Sequence, residues 1–290
     1  MNPELKIVAL FSVLALLLVV IGAIIGYLFN DILLFTSLFL VLALGMNIFS
    51  YFESDKIALK ATGSRIVSEK EEPRLYRIVK SVAEKAGIPM PKIGVMETDV
   101  PNAFATGRNA KNAVVVATRG IMRMLDDDEL EAVIGHEISH ITHKDILVST
   151  IAATIATMIS YIGNMILFSE MFGGTNENRN GNGILLFVAA LLIPLGAMFV
   201  QLGISRSREA YADVGSVKLV KKPDELISAL RKISSVHSAP SRKAKNAGAY
   251  SSLFIVNNLS KGPLFELFST HPSLEKRIES INNARKELGL

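Results

Sequence analysis

The sequence predicts a mainly helical α+β protein that passes through a membrane several times, as two transmembrane hairpins, and carries a small β-sheet in its polar segments. Three observations lead there. Half of the 290 residues are hydrophobic and mean hydropathy is +0.37, high for a chain dissolved in water. Four apolar runs approach the length that, at ~1.5 Å per helical residue, crosses a hydrocarbon core of about 30 Å. One intervening polar stretch alternates short β-prone runs with Pro, Gly and Asn turns.

Taken in order, residues 7–29 contain no charge, and a second apolar run, 32–52, follows after only Asn30 and Asp31. A cleaved signal peptide would be shorter and would not be followed by a second run, so 1–52 reads as a transmembrane hairpin. Segment 53–145 opens with a charged connector. A helix then starts at Pro73, carries an apolar stripe of Leu75, Ile78, Val79, Val82 and Ala86, and ends at Gly87. Strands are expected at Lys92–Met96, Ala103–Thr106 and Ala113–Thr118, as a small meander. Asp126 is placed to cap a second helix, with Asp127, Asp128 and Glu129 complementing its dipole and Leu130, Val133, Ile134, Ile138 and Ile141 forming its core face.

Apolar runs 146–168 and 183–204, joined by "SEMFGGTNENRNGN", form a second hairpin spanning segment 146–204. Ser149, Thr150, Thr154, Thr157, Ser160, Asn164 and Gln201 require that these helices face protein, and burial in a soluble core is the competing reading. Segment 205–290 is polar again, with a Ser-, Lys-, Asn- and Gly-rich loop at 234–262.

Of the two short hairpin loops, 30–31 and 169–182, only the second has a basic residue, Arg179, whereas 53–145 and 205–290 are rich in Lys and Arg. Both termini and both polar segments are therefore expected on the cytoplasmic side of the cell membrane. The basic C-terminal residues Lys218, Lys221, Lys222, Arg231, Lys232, Arg242, Lys243 and Lys245 would meet either an anionic leaflet or water. A net charge of +4 with no aromatic-interleaved basic stripe excludes nucleic acid as an expected partner.

The chain has no cysteine, so any metal must be held by His, Asp and Glu. "VIGHEISHITHKD", 133–145, places His136 and His140 four apart on one helical face, where both can bind one ion. Glu137 lies about 100° round the helix from His136, placed to take a proton from an attacking water. A hydrolytic metal needs a third ligand and an open position. Glu209 and Asp213 in "SRSREAYAD" are candidates, Glu209 for the metal and Asp213 for the outer nitrogen of a histidine ligand, His136 first. A solvated helix face remains the alternative for this pair. His143, rotated about 60° from His140, and His237 are unassigned.

"GHEISH" and "SRSREAYAD", with "PNAFATG" before them and "STHPSLEKRI" after, resemble the M48 family of zinc metallopeptidases, over nearly the whole chain. The resemblance implies a zincin-like metallopeptidase domain with one Zn2+ per chain, ligands His136, His140 and Glu209, general base Glu137 and a supporting Asp213. It favours substrate binding along a strand edge at Asn102, Ala103, Phe104, Ala105, Thr106 and Gly107, against a plain core hairpin. His271 and Arg277 would either stabilise the oxyanion of the scissile carbonyl or serve a helix cap and a structural ion pair. It implies a membrane-bound endopeptidase for misfolded or damaged membrane proteins, alone, as a homo-oligomer or with other membrane proteases. A CAAX-type prenyl protease fits less well because the spans are too few, and a non-proteolytic zinc protein because Glu137 is intact. Cleavage inside the bilayer conflicts with the acidic residues preceding the motif.

Overall fold

The computed structural model describes residues 3–172, 206–236 and 273–290. The chain divides into two compact units, residues 1–54 with 151–203, and 55–150 with 204–290.

In the first unit, α1 (Pro3–Leu28) and the start of α2 (Ile32–Thr62) pack antiparallel. Asn30, at φ 57°, turns the chain, and Asp31 Oδ1 accepts from the Leu34 N–H at 3.1 Å to start α2. The helices come close because Gly22 has no side chain: a Cβ there would lie 2.8 Å from both the Phe35 carbonyl oxygen and Phe39 Cβ. The Asn47 amide donates across the pair to the Phe11 carbonyl at 3.2 Å. Leu16, Val20, Leu33 and Val41 point outward, an apolar surface suited to lipid. Among the described residues, Glu4–Tyr27, Ile32–Thr62 and Asp145–Asn164 are long and apolar enough to cross a membrane. The run 183–204, the loop containing Arg179 and most of the loop expected at 234–262 lie outside the described residues.

The second unit holds a four-stranded sheet of β1 (Ser64–Ile66), β2 (Lys92–Met96), β3 (Ala103–Gly107) and β4 (Ala113–Thr118), in the order β1-β2-β4-β3. The sheet is mixed rather than the expected meander. β4 pairs parallel with β2, in register Ile93↔Val115, and antiparallel with β3, in register Ala105↔Val115. The reason lies in β4 itself: "AVVVAT" is apolar at nearly every position and buried throughout, which suits a strand covered on both faces. β3 is thereby left on the edge.

One sheet face, with Ile93, Val95, Ala105 and Val115, joins the main core. The other, with Met96, Phe104, Val114 and Val116, is covered by Leu59 of α2. The connector expected from residue 53 is thus a continuation of α2 to Thr62, and buried Ala58 and Thr62 on this stretch give it a packing face.

α3 (Pro73–Ala86) buries Leu75, Ile78, Val79, Val82 and Ala83, and Gly87 closes it at φ 65°, the left-handed conformation glycine adopts without strain. After a short α4 (Arg119–Met124), α5 (Asp127–Thr142) starts in a complete capping box, Asp126 with Glu129. All five of its expected core residues are buried. α6 (Asp145–Phe172) begins in this unit, where Thr150 Oγ1 meets Thr106 Oγ1 of β3 at 3.2 Å in a buried contact. α7 (Arg206–Val220), α8 (Pro223–Ser235) and α9 (Leu274–Leu288) complete the described part.

Candidate active site

The site forms where α5 and α7 cross. The crossing is close because glycines face it: a Cβ on Gly135 would lie 2.7 Å from Val220 Cγ2, and one on Gly215 only 2.0 Å from Ser139 Oγ and 2.8 Å from Ser139 Cβ. Ser216 Oγ donates to the Ala132 carbonyl at 2.6 Å and pins the register. Gly215→Ala should cost about 1–3 kcal/mol by overpacking, read as a lowered thermal midpoint in detergent, and a second change, Ser139→Gly, should recover most of it. An unchanged midpoint for Gly215→Ala would show that the helices are not held this tightly.

In this register the donors converge. His136 Nε2 and His140 Nε2 are 3.2 Å apart; His136 Nε2 lies 3.5 Å from Glu209 Oε2 and His140 Nε2 3.5 Å from Glu209 Oε1. Donors around a four-coordinate ion with bonds of ~2.0–2.2 Å are separated by about 3.3–3.4 Å, so the three fit such an ion. Among the described residues they form a group able to hold a metal.

The tautomers agree. His136 Nδ1 lies 2.9 Å from Asp213 Oδ1 and His140 Nδ1 lies 3.5 Å from Asp145 Oδ2. A ring that binds a cation through Nε2 keeps its proton on Nδ1, where the facing carboxylate accepts it.

Electrostatics point the same way. Burial opposes charge on His136 and His140, yet neighbouring carboxylates outweigh it: Asp213 and Glu209 raise His136, and Asp145 and Glu209 hold His140 up to about 10. A field that draws a proton this strongly draws a metal cation as well.

Glu137 is buried, and burial pushes its carboxyl above the usual range, toward the pKa of a useful base. The Ala105 N–H of β3 points toward the carboxyl and partly offsets that rise. The ladder geometry agrees with that direction. The Thr118 N–H donates to the Asn102 carbonyl at 2.9 Å, so Asn102 faces β4 and the main-chain groups of Ala103, Ala105 and Gly107 alternate outward. All six residues from Asn102 to Gly107 are buried, and β3 packs against α5.

Asp213 lies behind His136 and receives Arg277 from α9 in a two-pronged pair, Nε to Oδ2 at 2.9 Å and Nη2 to Oδ1 at 2.6 Å. Burial would raise the Asp213 carboxyl, but the Arg277 guanidinium overrides it and holds the group ionised. Both side chains are buried. Arg277 is thus placed beside His136, with Nη2 3.3 Å from His136 Nδ1. His271 and His237 lie outside the described residues. His143, at the C-terminus of α5, contacts the Ser139 carbonyl through Nδ1 at 2.7 Å.

Sequence reasoning passed over Asp145 and Arg208. Each stood in a stretch already singled out, Asp145 closing "THKD" and Arg208 immediately before Glu209. Seeing them as a pair required knowing that α6 starts by turning back on α5.

A helix pair presenting two histidines and a glutamate to one point, with a second buried glutamate beside them and a strand edge, defines a metallopeptidase. The family model for peptidase family M48 matches residues 69–285, and the chain belongs to that family. It is 42% identical over 288 residues to a protease HtpX homolog of Campylobacter hominis, covering 98% of this chain and 99% of the relative. Identity is 46% over 283 residues with a protease HtpX homolog of Pyrococcus furiosus, covering 97% and 96%. With that of Thermodesulfovibrio yellowstonii it is 47% over 244 residues, covering 83% and 86%. The crystal structure of S. mikatae Ste24p aligns at a TM-score of 0.48 and 20% identity, over 96% of this chain and 64% of that one.

Proposed function

We propose that this membrane metallopeptidase uses zinc, held by His136, His140 and Glu209, to cut unfolded stretches of damaged membrane proteins at the cytoplasmic face. The observation that carries the reading is the convergence of those three donors, at 3.2–3.5 Å, beside the buried Glu137. A donor set of two neutral imidazoles and one carboxylate suits zinc. Bound there, zinc supplies Lewis-acid polarisation of the scissile carbonyl and acidifies water.

The chain's own residues do the rest. An extended peptide lies along the outward edge of β3 and pairs with main-chain groups of Asn102–Gly107. Glu137, beside that edge with the Ala105 N–H directed at it, takes the proton of the attacking water and passes it to the departing amine. Asp213 holds His136 in the tautomer that leaves Nε2 for the metal, and Arg277 holds Asp213. The Arg277 ion pair supports this positioning role over oxyanion stabilisation, which is left to His271.

Segments 1–52 and 146–204 form two membrane hairpins, and 53–145 and 205–290 together form the peptidase domain, in the cytoplasm by the distribution of Lys and Arg. Full-length protein purified in detergent should digest an unfolded protein substrate, lose that activity to a chelator and regain it on addition of stoichiometric zinc. Undiminished digestion after complete metal removal would overturn the reading.

A further inference from the structure

We infer that Asp145 and Arg208 form a second positioning chain, in which Arg208 holds Asp145 and Asp145 holds His140 for the metal. The inference rests on the metal site proposed above. Its basis is a parallel between the two histidines. His136 is backed by Asp213, and Asp213 by Arg277. His140 has Asp145 Oδ2 at 3.5 Å from its Nδ1, and the other oxygen of Asp145 forms an ion pair with Arg208 Nη1. Asp145 and Arg208 keep only 11% and 14% of their side-chain surface exposed, so water screens this pair little.

The backbone supports the assignment. Between α5 and α6, Lys144 adopts φ 60°, a left-handed conformation that costs a lysine about 1–2 kcal/mol where glycine would adopt it freely. That turn brings Asp145, the first residue of α6, back beside His140, which lies in the last turn of α5.

Burial adds a separate argument: Glu137, Glu209, Asp213 and Asp145 are buried carboxylates around the site, and Arg277 and Arg208 pair with two of them, Asp213 and Asp145. Without Asp145 the cluster would hold the ion less tightly, and without Arg208 the Asp145 carboxylate would lose its anchor.

The test uses full-length protein in detergent, with cobalt(II) as spectroscopic ion and a chelator as competitor. Asp145→Asn and Arg208→Gln should each weaken cobalt affinity about 10–100-fold and alter the visible absorption of the bound ion, beyond any fall in the metal-free thermal midpoint. Asp145→Glu, which restores the charge, should recover part of the affinity. Wild-type affinity and spectrum in Asp145→Asn would overturn the inference. So would metal-free and metal-bound midpoints falling in parallel with the affinity unchanged, the signature of a purely structural pair. His140→Ala separates the two levels: if it binds cobalt like wild type, the metal site itself is wrong, whereas loss in His140→Ala with none in Asp145→Asn overturns only this inference.

Discussion

Glu137→Gln should lower the turnover of an unfolded substrate by at least ~10²–10⁴-fold, the range removed with a general base, while metal affinity stays within a few-fold of wild type. Glutamine has the same shape, and its amide oxygen can still face the Ala105 N–H as the native carboxylate does. It cannot take a proton. Burial already places the Glu137 carboxyl above the ordinary range, so the native group is a stronger base than an exposed glutamate. The loss should fall on kcat with little change in KM, because the strand edge is untouched. Wild-type turnover in this variant would remove Glu137 from the mechanism.

Arg277→Met should have the largest effect on stability. It leaves Asp213, a fully buried carboxylate, without the guanidinium that keeps it charged, and breaking such a pair costs about 3–5 kcal/mol. The expected result is a large fall in denaturation midpoint together with weaker metal binding, since His136 loses the partner that fixes its ring. A double change, Arg277→Met with Asp213→Asn, should recover part of the stability because no uncompensated charge remains. Arg277→Lys should fall between, as an ammonium cannot bridge both carboxylate oxygens with a planar fork. The oxyanion role predicts the opposite pattern, with turnover lost and stability kept.

The local elements were legible in the sequence where the cause is local. Pro73 and Gly87 bracket α3, and Asp126 with Glu129 starts α5, because caps act within one helical turn. The two-histidine face of α5 follows from helical spacing alone. What lay hidden depends on contacts between distant segments. The parallel pairing of β2 with β4 is decided by which strand best tolerates burial on both faces, a property of the assembled sheet. The run of α2 past residue 52 reflects Leu59 packing on that sheet, which outweighs the charged residues Glu53, Asp55 and Lys56. Asp145 gave no sign of a role because its meaning depends on the left-handed turn at Lys144.

The crossing of α5 and α7 also sets a timetable. His140 and Glu209 stand on opposite sides of residues 146–204, and Arg277 comes near the end of the chain. At ~5–20 residues per second, a ribosome that has made the histidine pair needs roughly 3–14 s more to reach the third donor, and several more to reach the arginine. Throughout that interval the proposed site lacks its third donor, so on this reading the nascent chain cannot cut while its apolar segments 146–168 and 183–204 are being made.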